Sequence, residues 1–122
     1  MLRKHKKYNK PEKKFDLERI KHENEIIKKY GLKNKREIWK ADAKIGRIRR
    51  MAKSLITKGE EEKHLFLDKL RKMGLKVNEI ADVLALTLED LLKRRLQSIV
   101  SKKNNLTMKS ARQLIVHKHV YV

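Results

Sequence analysis

The chain contains no cysteine and a single proline, and only 5% of its 122 residues are aromatic. The absence of cysteine excludes disulfide bonds and thiolate-ligated metal sites, and it removes the usual clue to a redox compartment. Apolar residues make up 39% of the chain, which is enough for a modest core but little for a self-sufficient domain. We therefore expect part of the fold to be stabilised by a partner.

Acidic residues and long apolar runs are also scarce. The 15 Asp and Glu are outnumbered by 34 Lys and Arg, which gives a formal net charge of +19. A free domain with that charge repels itself, and phosphate is the usual partner that neutralises such a surface. We therefore expect a nucleic acid as the partner, with an anionic membrane surface as the less favoured alternative. No apolar run approaches the ~20 residues of a membrane span, and no apolar segment follows the basic N-terminus, so we expect no secretory signal.

The charge is arranged in blocks. Residues 1–14 hold seven basic residues and one acid, whereas residues 28–58 hold twelve basic residues against two acids. Residues 60–92 reverse the sign with five basic and eight acidic residues, and residues 93–122 hold eight basic residues and no acid. This layout predicts two nucleic-acid-facing regions joined by a solvated or protein-facing middle. We interpret residues 1–14 as a flexible basic arm that becomes ordered on RNA, with a nuclear-import patch as the alternative.

The apolar periodicity is helical over nearly the whole chain. Asp16 is a candidate cap for a helix that runs to Tyr30, where Gly31 is suited to a left-handed C-terminal position. Leu17, Ile20 and Ile27 are placed on its apolar side. A second helix is predicted from residues that repeat at spacings of three and four and form a narrow apolar seam. These residues are Ile38, Ala41, Ile45, Ile48, Ala52 and Leu55.

Shorter helices are predicted in the second half. One runs from Glu60 to Met73 and is closed by Gly74, and another is capped by Asn78 and runs to Leu84. A longer helix is predicted to open at Thr87, with Asp90 completing an approximate capping box. The inward residues of this helix are predicted to be Leu88, Leu91, Leu92, Leu96 and Ile99. A loop is predicted at 102–106, a last helix capped by Thr107 at 108–117, and a terminal strand at 119–122.

The second helix carries the first candidate RNA-binding surface. Four cations advance along one face at helical spacing and can contact phosphates along an RNA groove. They are Arg36, Lys40, Lys44 and Arg47, and Arg49 and Arg50 follow them. A solvated charged face is the ordinary alternative, but Glu37 and Asp42 are the only acids that balance twelve cations in residues 28–58. Trp39 and Tyr30 can stack on bases. Packing in the core is at least as good an interpretation of Trp39, and packing at the helix end is the favoured interpretation of Tyr30.

The C-terminal region carries the second candidate surface. Cations end the predicted Thr87 helix, occupy the predicted loop and start the last helix, whose free N–H groups can also bind a phosphate. The residues are Arg94, Arg95, Lys102, Lys103, Lys109 and Arg112.

Other chemistry is not favoured by the sequence. His117 and His119 could place two imidazoles on one side of a strand, but no carboxylate or thiolate accompanies them, so we expect no metal site. Glu89 and Asp90 could act as a pair in acid–base chemistry, but they suit a helix start and no nucleophile or Gly-rich loop accompanies them. We expect a protein without an active site, cofactor or small-molecule substrate.

Two stretches near the C-terminus resemble a known family. LKRRLQSIV at 92–100 and SARQLIVHKHV at 110–120 resemble the RNA-binding module of the small-subunit ribosomal protein S-four family. KYGLKNKRE at 29–37 and LTLEDLL at 86–92 resemble its archaeal and eukaryotic form. The resemblance covers residues 28–122. It implies direct binding to small-subunit ribosomal RNA at a multi-helix junction, a role early in assembly, and a cytoplasmic location on the ribosome, near the messenger entrance and neighbouring ribosomal proteins.

The resemblance also implies which residues contact RNA. Carried over, they are Arg94, Arg95, Lys109, Arg112, Gln113, His117 and His119. Gln97 departs from the family because many members have Asp there, so a local cap or salt bridge is expected to be missing. The family continues with an Asn-Gly turn, a second strand and a Pro-Ser pair, so we expect this chain to be a shortened version. The cysteine-ligated zinc of some bacterial members is excluded here.

The predicted fold is mainly α: a basic arm at 1–14, a helical body at 15–86, and a two-helix RNA-binding module of the alpha-L type at 87–122 that leads into a short β-strand or hairpin. The predicted function is a structural constituent of the small ribosomal subunit. The main alternative is a stand-alone RNA-binding assembly or ribosome-rescue factor that uses the same module. An RNA-modifying enzyme such as a pseudouridine synthase would need a catalytic domain that the helical N-terminal region does not offer. A non-specific DNA-compacting protein is a further alternative that rests on charge alone.

Overall fold

The computed structural model describes residues 6–122, and its secondary structure is helical. The prediction of a mainly α fold is confirmed. No helix in the described part of the chain combines the length and the apolar character needed to cross a bilayer. The helices are α1 (Leu17–Tyr30), α2 (Lys35–Leu55), α3 (Glu60–Lys72), α4 (Ile80–Leu84), α5 (Leu88–Leu92), α6 (Leu96–Asn104) and α7 (Met108–Val116).

Both predicted ends of α1 are confirmed. The Asp16 carboxylate accepts a hydrogen bond from the backbone N–H of Arg19, and Gly31 adopts a left-handed conformation with φ of 59°. The predicted apolar side is only partly right. Ile27 packs against the core and Ile20 is half-buried, but Leu17 is 71% exposed and Ile26 is the buried residue.

The narrow apolar seam of α2 is confirmed. Ile38, Ile45, Ile48 and Ala52 are all buried, and they alternate at the predicted spacings with exposed cations. The helix is 21 residues long, so its polar face extends along one side of the molecule for about 30 Å.

The cap of α4 lies one residue later than predicted. Glu79 precedes the helix, and the Asp82 carboxylate accepts hydrogen bonds from the backbone N–H groups of Asn78 (3.0 Å) and Glu79 (3.1 Å). The carboxylate thus satisfies two donors that have no partner inside the helix, which fixes the start at Ile80.

The single helix predicted from Thr87 to beyond Ile99 is wrong. It is divided into α5 and α6, because Arg95 has the extended conformation of an N-cap residue. The Ser98 hydroxyl donates to the Leu92 carbonyl at 2.7 Å, which satisfies an acceptor at the end of α5. One consequence is that Leu96 is exposed rather than inward-facing.

The predicted loop at 102–106 and strand at 119–122 are also wrong. Helix α6 continues to Asn104 and ends on Asn105, which is left-handed with φ of 51°. Thr107 caps α7 as predicted, but the residues that follow α7 form no strand. The N–H of His119 donates to the Leu114 carbonyl while Lys118 is left-handed, so this segment completes the helix end instead of starting a ladder.

Two apolar clusters form the core. The larger one joins α2, α3 and α4, with Ile45 and Val83 among its most buried residues. The smaller one joins Ile26, Tyr30 and Ile38 to Leu92. Residues from both sides of position 86 contact each cluster. The domain boundary that the sequence predicts at this position stays a prediction. Of the predicted arm, residues 1–5 lie outside the described residues.

Candidate nucleic-acid interface

The polar face of α2 presents a row of exposed cations. The residues Arg36, Lys40, Lys44 and Arg47 are all exposed, and Arg50 is exposed one turn further on. The buried seam on the opposite side of the helix fixes the direction in which this row points. The row therefore forms an exposed basic strip, and its contact with RNA phosphates stays a prediction.

Arg49 differs from its neighbours because its guanidinium is used within the fold. Its Nη2 donates to the Leu86 carbonyl at 2.6 Å, and the residue is half-buried. This contact joins α2 to the segment before α5, so Arg49 has a structural partner as well as its predicted role on RNA.

A cleft of about 600 Å³ brings the two predicted basic regions together. Lys40 and Lys44 line it from α2, and Arg94 and Arg95 line it from the turn between α5 and α6. These pairs are separated by about fifty positions in the sequence, so helical periodicity alone did not predict the cleft. It is open to solvent on a face dominated by positive charge, which is the arrangement that attracts a phosphate backbone.

Arg94 is positioned in this cleft by a glycine. Gly74, with φ of 89°, has no side chain in the space that the Arg94 guanidinium occupies. The Nε of Arg94 also donates to the Met73 carbonyl at 3.3 Å. The left-handed glycine that closes α3 therefore also makes room for an arginine from the next part of the chain.

Arg95 and Arg112 both bind one carboxylate, that of Glu37. The Oε1 atom of Glu37 lies 3.1 Å from Arg95 Nη2 and 3.6 Å from Arg112 Nη2. Its Oε2 accepts from the backbone N–H of Lys33 at 2.8 Å. Burial by itself would raise the pKa of Glu37, but the Lys33 N–H and the two guanidinium groups outweigh it and lower that pKa.

Glu37 was not predicted as a site residue, although the sequence contained a signal. It is one of two acids among twelve cations in residues 28–58, and a lone acid in such a region is a natural partner for arginine. The structure shows which arginines it binds and that it orients them beside the cleft.

Replacing Glu37 by Gln is expected to destabilise the protein by about 1–2 kcal/mol at neutral pH, because charge-assisted hydrogen bonds are lost. The folded-state pKa of Glu37 is below its ordinary value of 4.5. Its stabilisation is therefore fully present above that value and is lost as the pH falls through the lower, folded pKa. Urea unfolding should give a larger difference between Glu37→Gln and wild type at pH 7 than at pH 3.

The control for that measurement is Glu62→Gln, because Glu62 is exposed at the start of α3 and makes no ion pair in the described part of the chain. A loss of stability at pH 7 as large as that of Glu37→Gln would count against the role of the paired arginines.

Gln97 links the two halves of the predicted module to α1. Its Nε2 donates to the carbonyls of Met108 (2.9 Å) and Gly31 (3.1 Å), and the side chain is buried. An ionised aspartate has no donor and is shorter, so it could not make these bonds. The departure from the family pattern at this position thus provides hydrogen bonds of its own.

The remaining predicted contacts lie around α6 and α7. Lys102 and Lys103 are exposed in the last turn of α6, and Lys109 is exposed in the first turn of α7. They therefore occupy helix ends and not a loop. Arg112 is half-buried and turned toward Glu37.

Gln113, His117 and His119 line one small cleft of about 310 Å³ with Ser110. The two imidazole rings are 6.5 Å apart. No group of three or more potential metal ligands occurs within residues 6–122. The chemistry available here is hydrogen bonding by amide and imidazole groups.

The two aromatic candidates have different environments. Tyr30 is buried and its hydroxyl donates to Glu89 at 3.1 Å, so the interpretation as a packing residue is confirmed for it. Burial and the hydrogen bond with Glu89 raise the pKa of Tyr30. Trp39 is only half-buried, and Tyr8 from the N-terminal segment stacks on it.

Comparison with known proteins gives consistent relatives. No family model matches the chain. Small ribosomal subunit protein uS4 of Methanothermobacter thermautotrophicus is 44% identical over 94% of this chain and 71% of its own length. The proteins of the same name from Saccharolobus islandicus and Thermoplasma acidophilum are 47% and 41% identical, over 96% and 97% of this chain and 69% and 64% of their own lengths.

The chain thus spans about two thirds of the length of these curated relatives. The identity extends through both the helical body and the C-terminal basic region, as the resemblance in the sequence implied. At this level of identity over almost the whole chain, the protein belongs to the uS4 family of small-subunit ribosomal proteins.

Proposed function

We propose that this protein is a structural constituent of the small ribosomal subunit that acts in the cytoplasm by binding the subunit's RNA directly and has no catalytic activity. The observation that carries the proposal is the cleft in which Lys40 and Lys44 of α2 lie beside Arg94 and Arg95. Relatives that share 41–47% of the sequence are named as small-subunit proteins, which supports the same assembly for this chain.

The cleft suggests how binding acts on RNA structure. Phosphates in the cleft would contact cations from α2 and from the α5–α6 turn at once, and Arg47 and Arg50 extend the strip along α2. A rigid surface that contacts several backbone segments favours the one RNA geometry that matches it. We infer that the RNA target is a junction of helices, which this protein holds early in assembly, and that the mature position is near the messenger entrance, beside other small-subunit proteins.

The C-terminal helices would add a second set of contacts. Lys102, Lys103 and Lys109 are exposed and suited to phosphates, whereas Gln113 and the two histidines can form hydrogen bonds with sugar or base edges. Arg95 and Arg112 are half-buried and paired with Glu37, so they would contribute only through the exposed part of each side chain.

The proposal is tested by isolating ribosomal particles from the source cells and counting the copies of this protein. We expect one copy per small subunit in particles washed at high salt, measured by mass spectrometry with isotope-labelled peptides. A stand-alone assembly or rescue factor would instead be present at well below one copy and would be removed by the wash.

A binding titration tests direct recognition of RNA. Purified protein should bind a folded fragment of small-subunit RNA more tightly than RNA or DNA duplexes of equal length, at the same salt concentration. Equal affinity for the three would indicate a non-specific polyanion binder and would contradict the proposal.

A further inference from the structure

A second cleft, separate from the one described above, lies where the N-terminal segment crosses the start of α2. Its volume is about 700 Å³, which is within the range of ligand pockets. Five cations line it together with one aromatic ring, and no acidic residue does. The lining includes Lys10, Lys14, Arg19, Lys35, Arg36 and Trp39.

The indole of Trp39 is held in a defined orientation. Its Nε1 donates to the buried Glu23 carboxylate at 3.3 Å, which satisfies the polar edge of the ring inside the protein. Tyr8 stacks on Trp39 with ring centroids 6.2 Å apart, but Tyr8 does not line the cleft. Trp39 also packs partly against the smaller apolar cluster, and the half-buried side chain contributes the one aromatic surface to an otherwise cationic cavity.

The N-terminal segment is fastened beside this wall. The Nη2 of Arg19 donates to the carbonyls of Lys13 (2.6 Å) and Lys14 (3.1 Å), while its Nη1 binds Glu23 at 2.8 Å. These bonds place the exposed Lys14 at the rim of the cleft. The charge of Lys35 is partly compensated by Glu23 at 3.6 Å, whereas Lys10, Lys14 and Arg36 make no ion pair in the part of the chain that the structure describes.

We propose that this cleft binds a single unpaired RNA nucleotide, with the base stacked on Trp39 and the phosphates bound by Lys10, Lys14 and Arg36. The combination of a planar aromatic wall with uncompensated cations is the one that proteins use for single-stranded nucleic acid. A base-paired nucleotide cannot enter, because its base is stacked within a helix. The inference rests on the proposed RNA-binding function and adds to it a site for an extruded base.

Trp39 is the only tryptophan of the chain, so its fluorescence reports directly on the cleft. The probes are a uridine pentanucleotide and a blunt RNA duplex, each added to the full chain. We expect the pentanucleotide to quench the fluorescence, and the duplex to bind without quenching it. Quenching by both RNAs, or by neither, would overturn the inference, whereas failure of the duplex and of folded ribosomal RNA to bind would contradict the proposed function itself.

Variants separate stacking from charge. Trp39→Leu should weaken binding of the dye-labelled pentanucleotide about tenfold by anisotropy and leave binding of the duplex within about twofold. Lys10→Gln with Lys14→Gln should also weaken the pentanucleotide about tenfold, whereas the matched control Lys72→Gln with Lys76→Gln, on and after α3, should have little effect. Because Trp39→Leu removes a core contact, the lysine variants keep the test decisive if that variant unfolds; equal effects of the two lysine pairs would overturn the inference.

A hexaglutamate peptide tests whether the ligand is a protein segment instead. It should compete with the pentanucleotide only weakly, because it has no planar group to stack on Trp39. Displacement at equal charge concentration would favour an acidic protein partner and would overturn the nucleotide assignment.

Discussion

Replacing both Lys40 and Lys44 by Glu is expected to weaken binding to a small-subunit RNA fragment by at least about a hundredfold. Both residues are exposed and line the cleft beside Arg94 and Arg95. Each replacement removes a charge-assisted phosphate contact and adds repulsion. The salt dependence gives a second readout, because the slope of log K against log salt should become shallower by about 1.8 on duplex-like RNA if two phosphate contacts are lost. Filter binding at several salt concentrations measures both quantities.

The matched control is Lys69→Glu with Lys72→Glu on α3, which changes the net charge by the same amount. Both lysines are exposed, and both lie outside the cleft that joins the two basic regions. Their replacement should weaken binding only through the general field of the protein. If the two double variants lose affinity equally, the cleft is not the binding surface.

Arg95 and Arg112, which the resemblance also implies to contact RNA, are less suitable for this test. Both bind Glu37, so two new glutamates there would place three carboxylates together. A loss of RNA affinity could then reflect a disrupted fold and not a lost contact. Lys40 and Lys44 make no ion pair in the described part of the chain, so their replacement breaks no salt bridge of the fold.

Replacing Gly31 by Ala is expected to destabilise the protein by about 3 kcal/mol, since two effects act together. Gly31 has φ of 59°, and a left-handed conformation costs other residues roughly 1–2 kcal/mol. The new Cβ would also lie 2.6 Å from the Cβ of Met108 and 2.9 Å from the Nε2 of Gln97. The start of α7 would have to move away from the end of α1. Urea unfolding followed by circular dichroism measures the change.

Gly46→Ala provides the control for Gly31→Ala. Gly46 lies within α2, and a Cβ there would meet no heavy atom within 4 Å. No other backbone approaches this glycine closely in the described part of the chain. Alanine should therefore stabilise α2 by up to about 1 kcal/mol. A Gly31→Ala variant as stable as wild type would mean that α7 does not pack on α1 as described.

Local features of the fold were predictable from the sequence. Asp16, Gly31 and Thr107 mark helix ends because caps depend on a side chain and the backbone a few residues away. The seam of α2 was predictable for a similar reason, because a long run of residues at spacings of three and four has only one helical interpretation. Family membership was predictable because the matching stretches are long and ordered.

Features that depend on distant residues needed the tertiary structure. The leucines from 88 to 96 fit one helix or two, and the choice is made by the extended Arg95 and by the Ser98 bond to the Leu92 carbonyl. Residues 119–122 alternate as a strand does, but the N–H of His119 donates to the Leu114 carbonyl at the end of α7. Periodicity predicts which residues can face inward, but it does not predict which residues they contact in the core.

The candidate site divides in the same way. Composition and charge blocks determined that the chain carries basic regions, and they predicted which lysines and arginines bind RNA. Only the packing of α2 against the α5–α6 turn decided that Lys44 and Arg94 share a cleft, that Glu37 binds Arg95 and Arg112, and that Trp39 lines a second cavity. The physical reason is that the sign of a charge belongs to the residue, whereas its neighbours in space are set by long-range contacts of the apolar core.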